Sequence, residues 1–329
     1  MADTAATTTD AVLERALALA VRAPSAHNTQ PWRFRKSGAT VDLFVDTDVA
    51  LRNADPDGRD ATLGLGAVLH HLRLALAVEG RHCEIRRFPR TFDPDHVARI
   101  DFAAPHTPTD DEAALAEAIG RRRTDRRGYD DRVLSSEQRN DLIARAARYD
   151  VHAHLVTDAE RRACLSAAAR RAADVHAKDR AYQLELAAWS GLRGSDEGVP
   201  LPNVVRPDPD SELPARAYAG SALDAATGRG VTGDLILIAS AVDDRAAQLR
   251  AGEAASEILL AATSVGLSTC PVTEPLEIAW LRDEIRQSVL DGGAFPQIIL
   301  RVGWPMTGAP PVPVSPRRPI EDTLVDDIR

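Results

Sequence analysis

Ala23-Pro24-Ser25-Ala26-His27-Asn28-Thr29-Gln30-Pro31-Trp32 is the stretch on which the reading of this chain turns. Upstream of it, Val12, Leu13, Ala16, Leu17, Ala20 and Val21 recur on one helical face behind Asp10, a candidate N-cap, so a helix is expected from Asp10 to Arg22. Pro24 ends that helix by disfavouring the α region at Ala23. Downstream, Trp32 to Arg35 and Val41 to Val45 read as strands. The stretch is therefore a polar turn between a helix and a strand. Two prolines stiffen it, and the side-chain amides of Asn28 and Gln30 are its polar equipment.

Working outward, a second helix is expected from Asp60 to Glu79, ending at Gly80, with strands at Cys83 to Phe88 and Val97 to Phe102 and a linker from Ala103 to Asp111. Beyond the linker come a helix at Glu112 to Ile119, a basic run at Arg121 to Arg127, a helix at Ser136 to Arg148, a strand at Val151 to Val156 and a helical stretch from Ala159 to Trp189. From Ser190 to about Gly230 periodicity fails, and five prolines fall between Pro200 and Pro214. A structureless excursion of that length is a lid, a binding loop or a disordered insert. A strand at Asp234 to Ala241, a helix at Ala251 to Val265, a strand at Gln297 to Val302 and a proline-rich tail complete the chain.

The two halves contain a weak repeat. Setting Gly66 on Gly252 also places Leu72 on Ile258, Leu74 on Leu260, Ala75 on Ala261 and Gly80 on Gly266. Both helices then end at a glycine suited to a left-handed C-terminal position. The expectation is an α+β protein of two related halves, residues 1–108 and 109–329, each a helix-flanked, mostly antiparallel sheet, packed as an internal pseudo-dimer with a lid-like insertion at about 190–230.

Composition sets the frame. With 329 residues, 44% hydrophobic and 27% charged, the chain is globular and long enough for two domains or one duplicated one. A net charge of −9 opposes binding to a nucleic-acid backbone. The N-terminal segment has neither a basic nor an apolar region of a signal peptide, and the longest apolar run noted, near Leu235 to Ala239, is too short for a bilayer, so a cytoplasmic protein without a membrane partner is expected. Cys83, Cys164 and Cys270 form no CxxC pair, as expected where thiols stay reduced and no structural zinc is needed.

Three stretches carry a resemblance. Ala23 to Trp32 resembles the APSxxNxQPW turn of the FMN-dependent nitroreductase family, Arg121-Arg122-Arg123-Thr124-Asp125-Arg126-Arg127 looks like that family's RRSxR phosphate-binding element, and Gly266 to Thr273 resembles the loop that passes over the flavin ring. The end, Pro316-Arg317-Arg318-Pro319, is similar to its basic C-terminal segment. In ordinary members the arginine element comes first and the turn follows, one element from each subunit meeting at a homodimer interface. Here the turn comes first, the arginines follow about a hundred residues later, and each occurs once, which looks most like the Acg-type branch. Tyr129 stands one residue later than the aromatic that usually closes the arginine element. The resemblance implies one FMN between the halves, an NAD(P)H oxidoreductase passing hydride through flavin N5 to a nitroaromatic, quinone or similar acceptor, and a monomer or weak homodimer.

The residues suit that cofactor on chemical grounds. A terminal phosphate wants guanidinium forks and hydroxyls, which Arg122, Arg123, Thr124, Arg126, Arg317, Arg318 and Ser25 can supply. Beside Pro24, Asn28 and Gln30 either hydrogen-bond a flavin's pyrimidine edge or cap the turn. The resemblance places backbone around Pro271, Val272 and Thr273 at the ring. Hydride chemistry belongs to the cofactor, so no nucleophile or acid–base dyad is required, and none is evident. Arg193, Arg206 and Arg216 are available to a nicotinamide phosphate. The alternative is a flavin-storing or shielding protein whose loop 190–230 covers the cofactor. Gly228 to Gly233 matches GxGxxG but precedes a strand, so it reads as the hinge ending the long loop. His152 and His154 share a strand face without a third ligand, and no metal is expected.

Overall fold

The computed structural model describes residues 2–191, 195–208, 210–218, 220, 223 and 231–325, with residues 2–8 described by backbone alone. The Gly228 to Gly230 part of the GxGxxG match and Arg193 lie outside the described residues.

Two four-stranded sheets, antiparallel throughout, have the same strand order. In the first, β1 (Trp32–Ser37), β2 (Thr40–Val45), β4 (His96–Asp101) and β3 (Glu84–Arg87) lie side by side in that order. In the second the order is β5 (His152–Leu155), β6 (Asp234–Ser240), β8 (Phe295–Gly303) and β7 (Ser268–Val272). The segment Gly266 to Thr273 is therefore mostly an edge strand, not the free loop that the resemblance suggests. Its Thr269 backbone pairs with Thr124 and Asp125 of the arginine element, which explains why it is extended.

Helix α1 (Ala2–Ala20) begins well before Asp10, so Asp10 is not its N-cap. Its Leu13, Ala16, Leu17 and Ala20 are buried against the first sheet. Between them in the chain, α2 (Arg59–Val78) packs along α7 (Arg245–Ser264), while α3 (Asp110–Arg121) lies across both. α7 starts six residues earlier than its apolar pattern suggests because Asp244 caps it, accepting from Ala247 N. α4 (Ser136–Ala144) precedes β5, its N-terminus closed by a reciprocal Ser135–Gln138 capping box. The helical stretch before the long loop is two helices, α5 (Ala159–Lys178) and α6 (Arg180–Ala188), broken where Asp179 turns extended and caps the second. A short α8 (Glu274–Glu277) and α9 (Ala279–Leu290), missing from the sequence reading, cover the outer face of the second sheet.

The repeat is visible at the α2–α7 crossing. A Cβ on Gly66 would lie 2.1 Å from Leu249 O, and one on Gly252 would lie 2.1 Å from Leu63 O. Leu63 and Leu249 are related by the same 186-residue offset as the glycines, so the contact is reciprocal, as across a two-fold axis. His70 hydrogen-bonds Ser256, its own counterpart at that offset, at 2.8 Å on the same line. Only glycine lets these backbones approach so closely.

α2 is also long and apolar enough to cross a bilayer, which the search for unbroken apolar runs overlooked because His70, His71 and Arg73 interrupt it. Most of it is buried in the protein, as in a core helix. No described cluster of His, Cys, Asp or Glu has metal-binding geometry. The described residues of 190–230 contain no regular element beyond a turn of 3₁₀ helix at Leu201–Asn203. After β8 the tail returns to the first sheet, where Leu324 pairs with Phe34.

Candidate functional site: a guanidinium pocket opening into an apolar slot

The Pro24–Pro31 turn is wound unusually tightly. His27, Asn28 and Gln30 have φ of 49°, 58° and 55°, the left-handed region that non-glycine residues rarely occupy. Such strain persists only where surrounding contacts hold it. Here Ser25 Oγ accepts from Gln30 N at 2.9 Å, Asn28 Nδ2 donates to Gly198 O at 3.0 Å and Pro316 O at 3.2 Å, and Gln30 Nε2 donates to Asp196 O at 2.8 Å. The turn is thus clamped by both the long loop and the C-terminal tail.

Two adjoining pockets meet at this turn, sharing Pro24, Ser25, Thr124 and Arg126. The first is polar, lined by Arg22, Asn28, Arg122, Arg123 and Arg317 with Ser25 and Thr124. Arg122 is buried with Nε unpartnered, and no carboxylate among the described residues pairs with Arg22, Arg122, Arg123, Arg126 or Arg317. Burial, reinforced by the neighbouring guanidinium groups, lowers Arg122 to about 10 and Arg317 to about 9. A guanidinium stays protonated regardless, so these shifts express the cost of holding like charges together without an anion. Arg317 is fixed by donating to Val21 O, Arg22 O and Ala23 O at the end of α1, where the helix dipole favours a cation.

The second pocket is a slot with about 1040 Å³ of free space, its mouth included. Leu63, Gly64, Ala67, Gly252, Ala255 and Leu259 of the α2–α7 crossing form its floor. Pro271, Val272, Thr273 and Glu274 line one side and the Pro24–His27 turn another, while Leu213, Pro214, Ala215, Arg216 and Tyr218 of the long loop also face it. Cys270 contributes a thiol that burial pushes up, so it is not a poised thiolate.

Of the residues singled out from sequence, Pro24, Ser25, Thr124 and Arg126 line both pockets, Asn28, Arg122, Arg123 and Arg317 the polar one, and Pro271, Val272 and Thr273 the slot. Gln30 and Arg318 line neither. They bond to each other instead: Arg318 N donates to Gln30 Oε1 at 2.9 Å and its guanidinium donates to Gln30 O, while Asp46 takes its charge at 2.9 Å. Arg127 is spent on Asp125 at 2.8 Å. Tyr129, the displaced aromatic, is fully buried against Gly233 and Gly303, and its hydroxyl donates to Asp125 O at 3.1 Å, closing the arginine element from beneath.

Two groups, His27 and Asp60, were missed from sequence, and Arg216, offered there to a nicotinamide phosphate, has another role. Arg216 is buried and ion-paired to Glu277, with its guanidinium also donating to the Tyr182 hydroxyl and lying 3.4 Å from His27 Nε2. It is therefore not free for a nicotinamide phosphate, whereas Arg206 is exposed. His27 itself lines the slot, its pKa held well below the usual imidazole value by burial and Arg216. Asp60 lies at the start of α2 facing the slot. Each is an isolated residue whose neighbours come from distant segments, so no local pattern marked it.

The two-fold counterpart of the slot is an open cleft of about 1140 Å³, its mouth included, whose lining is charged where the slot's is apolar. Residues 186 positions from Gly64, Ala67, Leu259 and Thr273 are Arg250, Glu253, Arg73 and Arg87. Arg87 makes a two-pronged pair with buried Glu253 at 2.7 and 2.8 Å, and Glu257 beside them bonds His70, Tyr149, Arg145 and Arg148. The two related positions thus differ in lining, apolar at one and charged at the other, and not in free space.

No family model matches the chain. It is 43% identical over 311 residues to a Mycobacterium tuberculosis H37Rv protein provisionally named NAD(P)H nitroreductase Rv3131, covering 94% of this chain and 89% of that one. It is 37% identical over 331 residues, 98% of each chain, to a protein of the same strain provisionally named NAD(P)H nitroreductase acg. Among solved structures, a nitroreductase-type protein from Anabaena variabilis matches 90% of this chain and 88% of its own at a TM-score of 0.56 and 10% identity. A guanidinium pocket leading into an apolar slot between two sheet-bearing halves, on this fold, is that of a nitroreductase-like protein. The chain belongs to the nitroreductase family, in the branch of its full-length acg relative.

Proposed function

We propose that the chain binds one FMN and is an NAD(P)H oxidoreductase. The observation that carries this reading is the guanidinium cluster around buried Arg122, with no carboxylate partner among the described residues, opening directly into an apolar slot. The donors fit a phosphate dianion: Arg122, Arg123, Arg126 and Arg317, joined by Arg22, Ser25 and Thr124, would hold it. The slot fits a flat heteroaromatic ring, with Gly64, Ala67 and Leu259 beneath and Pro271, Val272 and Thr273 along its edge. When bound, FMN supplies hydride transfer between the nicotinamide and a nitroaromatic, quinone or similar acceptor. In this reading residues 1–108 contribute the strained turn and residues 109–329 the arginines, and Gln30 and Arg318 lock the turn to the tail instead of touching the cofactor.

A second reading, FMN storage or shielding with little turnover, has its own support. Leu213, Pro214, Ala215 and Tyr218 face the slot, and buried Arg216 ties them to Glu277. The test of both is the visible spectrum without oxygen, before and after NADH, NADPH and dithionite. A yellow band bleached by a nicotinamide supports the oxidoreductase. A band bleached by dithionite alone supports shielding. A colourless protein overturns both.

A further inference from the structure

The slot carries a polar group that the cofactor reading leaves without a task. Asp60 is 5% exposed, lines the slot, and no described residue donates a hydrogen bond to its carboxyl. Its oxygens are not sealed in protein but open onto the slot, so a ligand that displaces water there must satisfy them. We propose that Asp60 is a specificity-determining hydrogen-bond donor that receives the oxygen of an uncharged acceptor molecule, of quinone or nitroaromatic type, in the slot; this deepens the oxidoreductase reading and rests on it.

Asp55 is the neighbouring carboxylate; burial raises it too, but it accepts from Asp60 N at 3.0 Å and Ala61 N at 2.8 Å at the helix start, which favours holding the pair's negative charge there. Around the pair, Arg59 of the same helix turn is committed to Asp243, Gln297 and Pro296 O. Arg216 of the long loop is committed to Glu277 of α8, with Glu274 beside it, and His27 of the turn is neutral. The two cations near Asp60 are thus already paired with other carboxylates, and Asp55 and Glu277 add repulsion. Burial first, then Asp55 and Glu277, raise Asp60 to about 8. At neutral pH it carries a proton and donates it in a hydrogen bond; once ionised it can only accept. A carbonyl or nitro oxygen, itself only an acceptor, is bound by the first form and rejected by the second. Sequence alone marks nothing here, because Asp60 looks like an ordinary first-turn acid.

The test uses oxidised full-length protein with 1,4-naphthoquinone as probe, by equilibrium dialysis from about pH 6 to about pH 10, alongside Asp60→Asn and Asp60→Ala. Wild-type Kd is expected to be flat near neutrality and to weaken roughly tenfold or more as pH passes about 8, the loss of one hydrogen bond to a charged or matched group. Asp60→Asn, which keeps a donor, binds within a few-fold of wild type with no such rise. Asp60→Ala binds weakly at every pH. A carboxylic-acid infrared band at neutral pH, present in wild type and absent in Asp60→Asn, reports the proton without reference to binding. The proposal is overturned by absence of that band, by the same pH rise in Asp60→Asn, by wild-type affinity in Asp60→Ala, or by no quinone binding at any pH. A colourless protein that still binds the probe with this profile would keep Asp60's role and remove the flavin, so the two readings fail separately.

Discussion

Replacing Arg122 with methionine should move the cofactor-free and cofactor-bound proteins in opposite directions. Arg122 is buried among Arg22, Arg123, Arg126 and Arg317 with no described carboxylate partner. Its depression from 12.5 to about 10 corresponds to about 3 kcal/mol of burial and mutual repulsion in the absence of an anion. Methionine fills much of the same volume without charge, so part of that cost is relieved, and the cofactor-free variant should be more stable by about 1–2 kcal/mol. With FMN bound, the same substitution removes charge-assisted bonds to the phosphate and should weaken binding by about 2–4 kcal/mol, roughly 30- to 1000-fold. Riboflavin, which lacks the phosphate, should bind both proteins about equally. The assay is thermal unfolding of the stripped protein with increasing FMN or riboflavin, the ligand-dependent part reporting affinity. If the variant destabilises the stripped protein, or weakens riboflavin as much as FMN, Arg122 is a structural residue and the phosphate seat lies elsewhere.

Gly252→Ala places a Cβ 2.1 Å from Leu63 O at the helix crossing, and should lower stability in urea by about 2–4 kcal/mol, with Gly66→Ala costing a similar amount because its contact is the symmetric one. Arg216→Met releases the long loop from Glu277; under the shielding reading the rate of flavin bleaching by a nicotinamide should rise about tenfold or more, with dithionite reduction unchanged, and an unchanged nicotinamide rate would show that this pair does not hold the cover. Buried Asp42, bonded to Arg99, Arg35 and His96, has its pKa lowered to about 2, mainly by the two arginines against the opposing effect of burial. Because the folded value lies below the unfolded one, the roughly 2 kcal/mol this contributes is present above about pH 4 and lost as pH falls through about 2, so Asp42→Asn should be destabilised at neutral pH and approach wild type in acid.

What could be read from sequence was whatever is local. The turn, the two strands that follow it and the helix ending at Gly80 follow from proline, glycine and apolar spacing, and they fall within a few residues of their observed positions. The 186-residue repeat was legible because a two-fold crossing demands glycine at both related positions, and the demand leaves a mark in each half. The errors have local causes too. Asp10 looks like a cap but lies inside α1, since alanines and threonines ahead of it continue the helix. The resemblance reads Gly266 to Thr273 as a loop, yet most of it is an edge strand whose partners, β8 and the arginine element, lie far off in sequence. Gln30 and Arg318 have the right chemistry for a ligand and meet each other instead. Arg216, Asp60 and His27 become conspicuous only when the long loop, α2 and the turn are brought to one slot.

The asymmetry between the halves bears on why a duplicated fold would place both elements in one chain. In a dimer of identical subunits, any change at one site appears at its two-fold mate. Here the related positions have separated: Gly64, Ala67, Leu259 and Thr273 line an apolar slot, while Glu253, Arg73 and Arg87 line a charged cleft carrying a bidentate ion pair. The charged position is costly to make apolar, since removing Arg87 alone leaves the buried Glu253 carboxylate without its partner. Truncating both together is the gentler route. Even then the second position lacks a duplicate of the arginine element and of the strained turn, each of which occurs once. FMN titration of the stripped protein should therefore saturate at one per chain, and an Arg87→Thr, Glu253→Ala double variant should still saturate at one. Two per chain in wild type would mean that the charged position admits a cofactor, and the argument from asymmetry would fail.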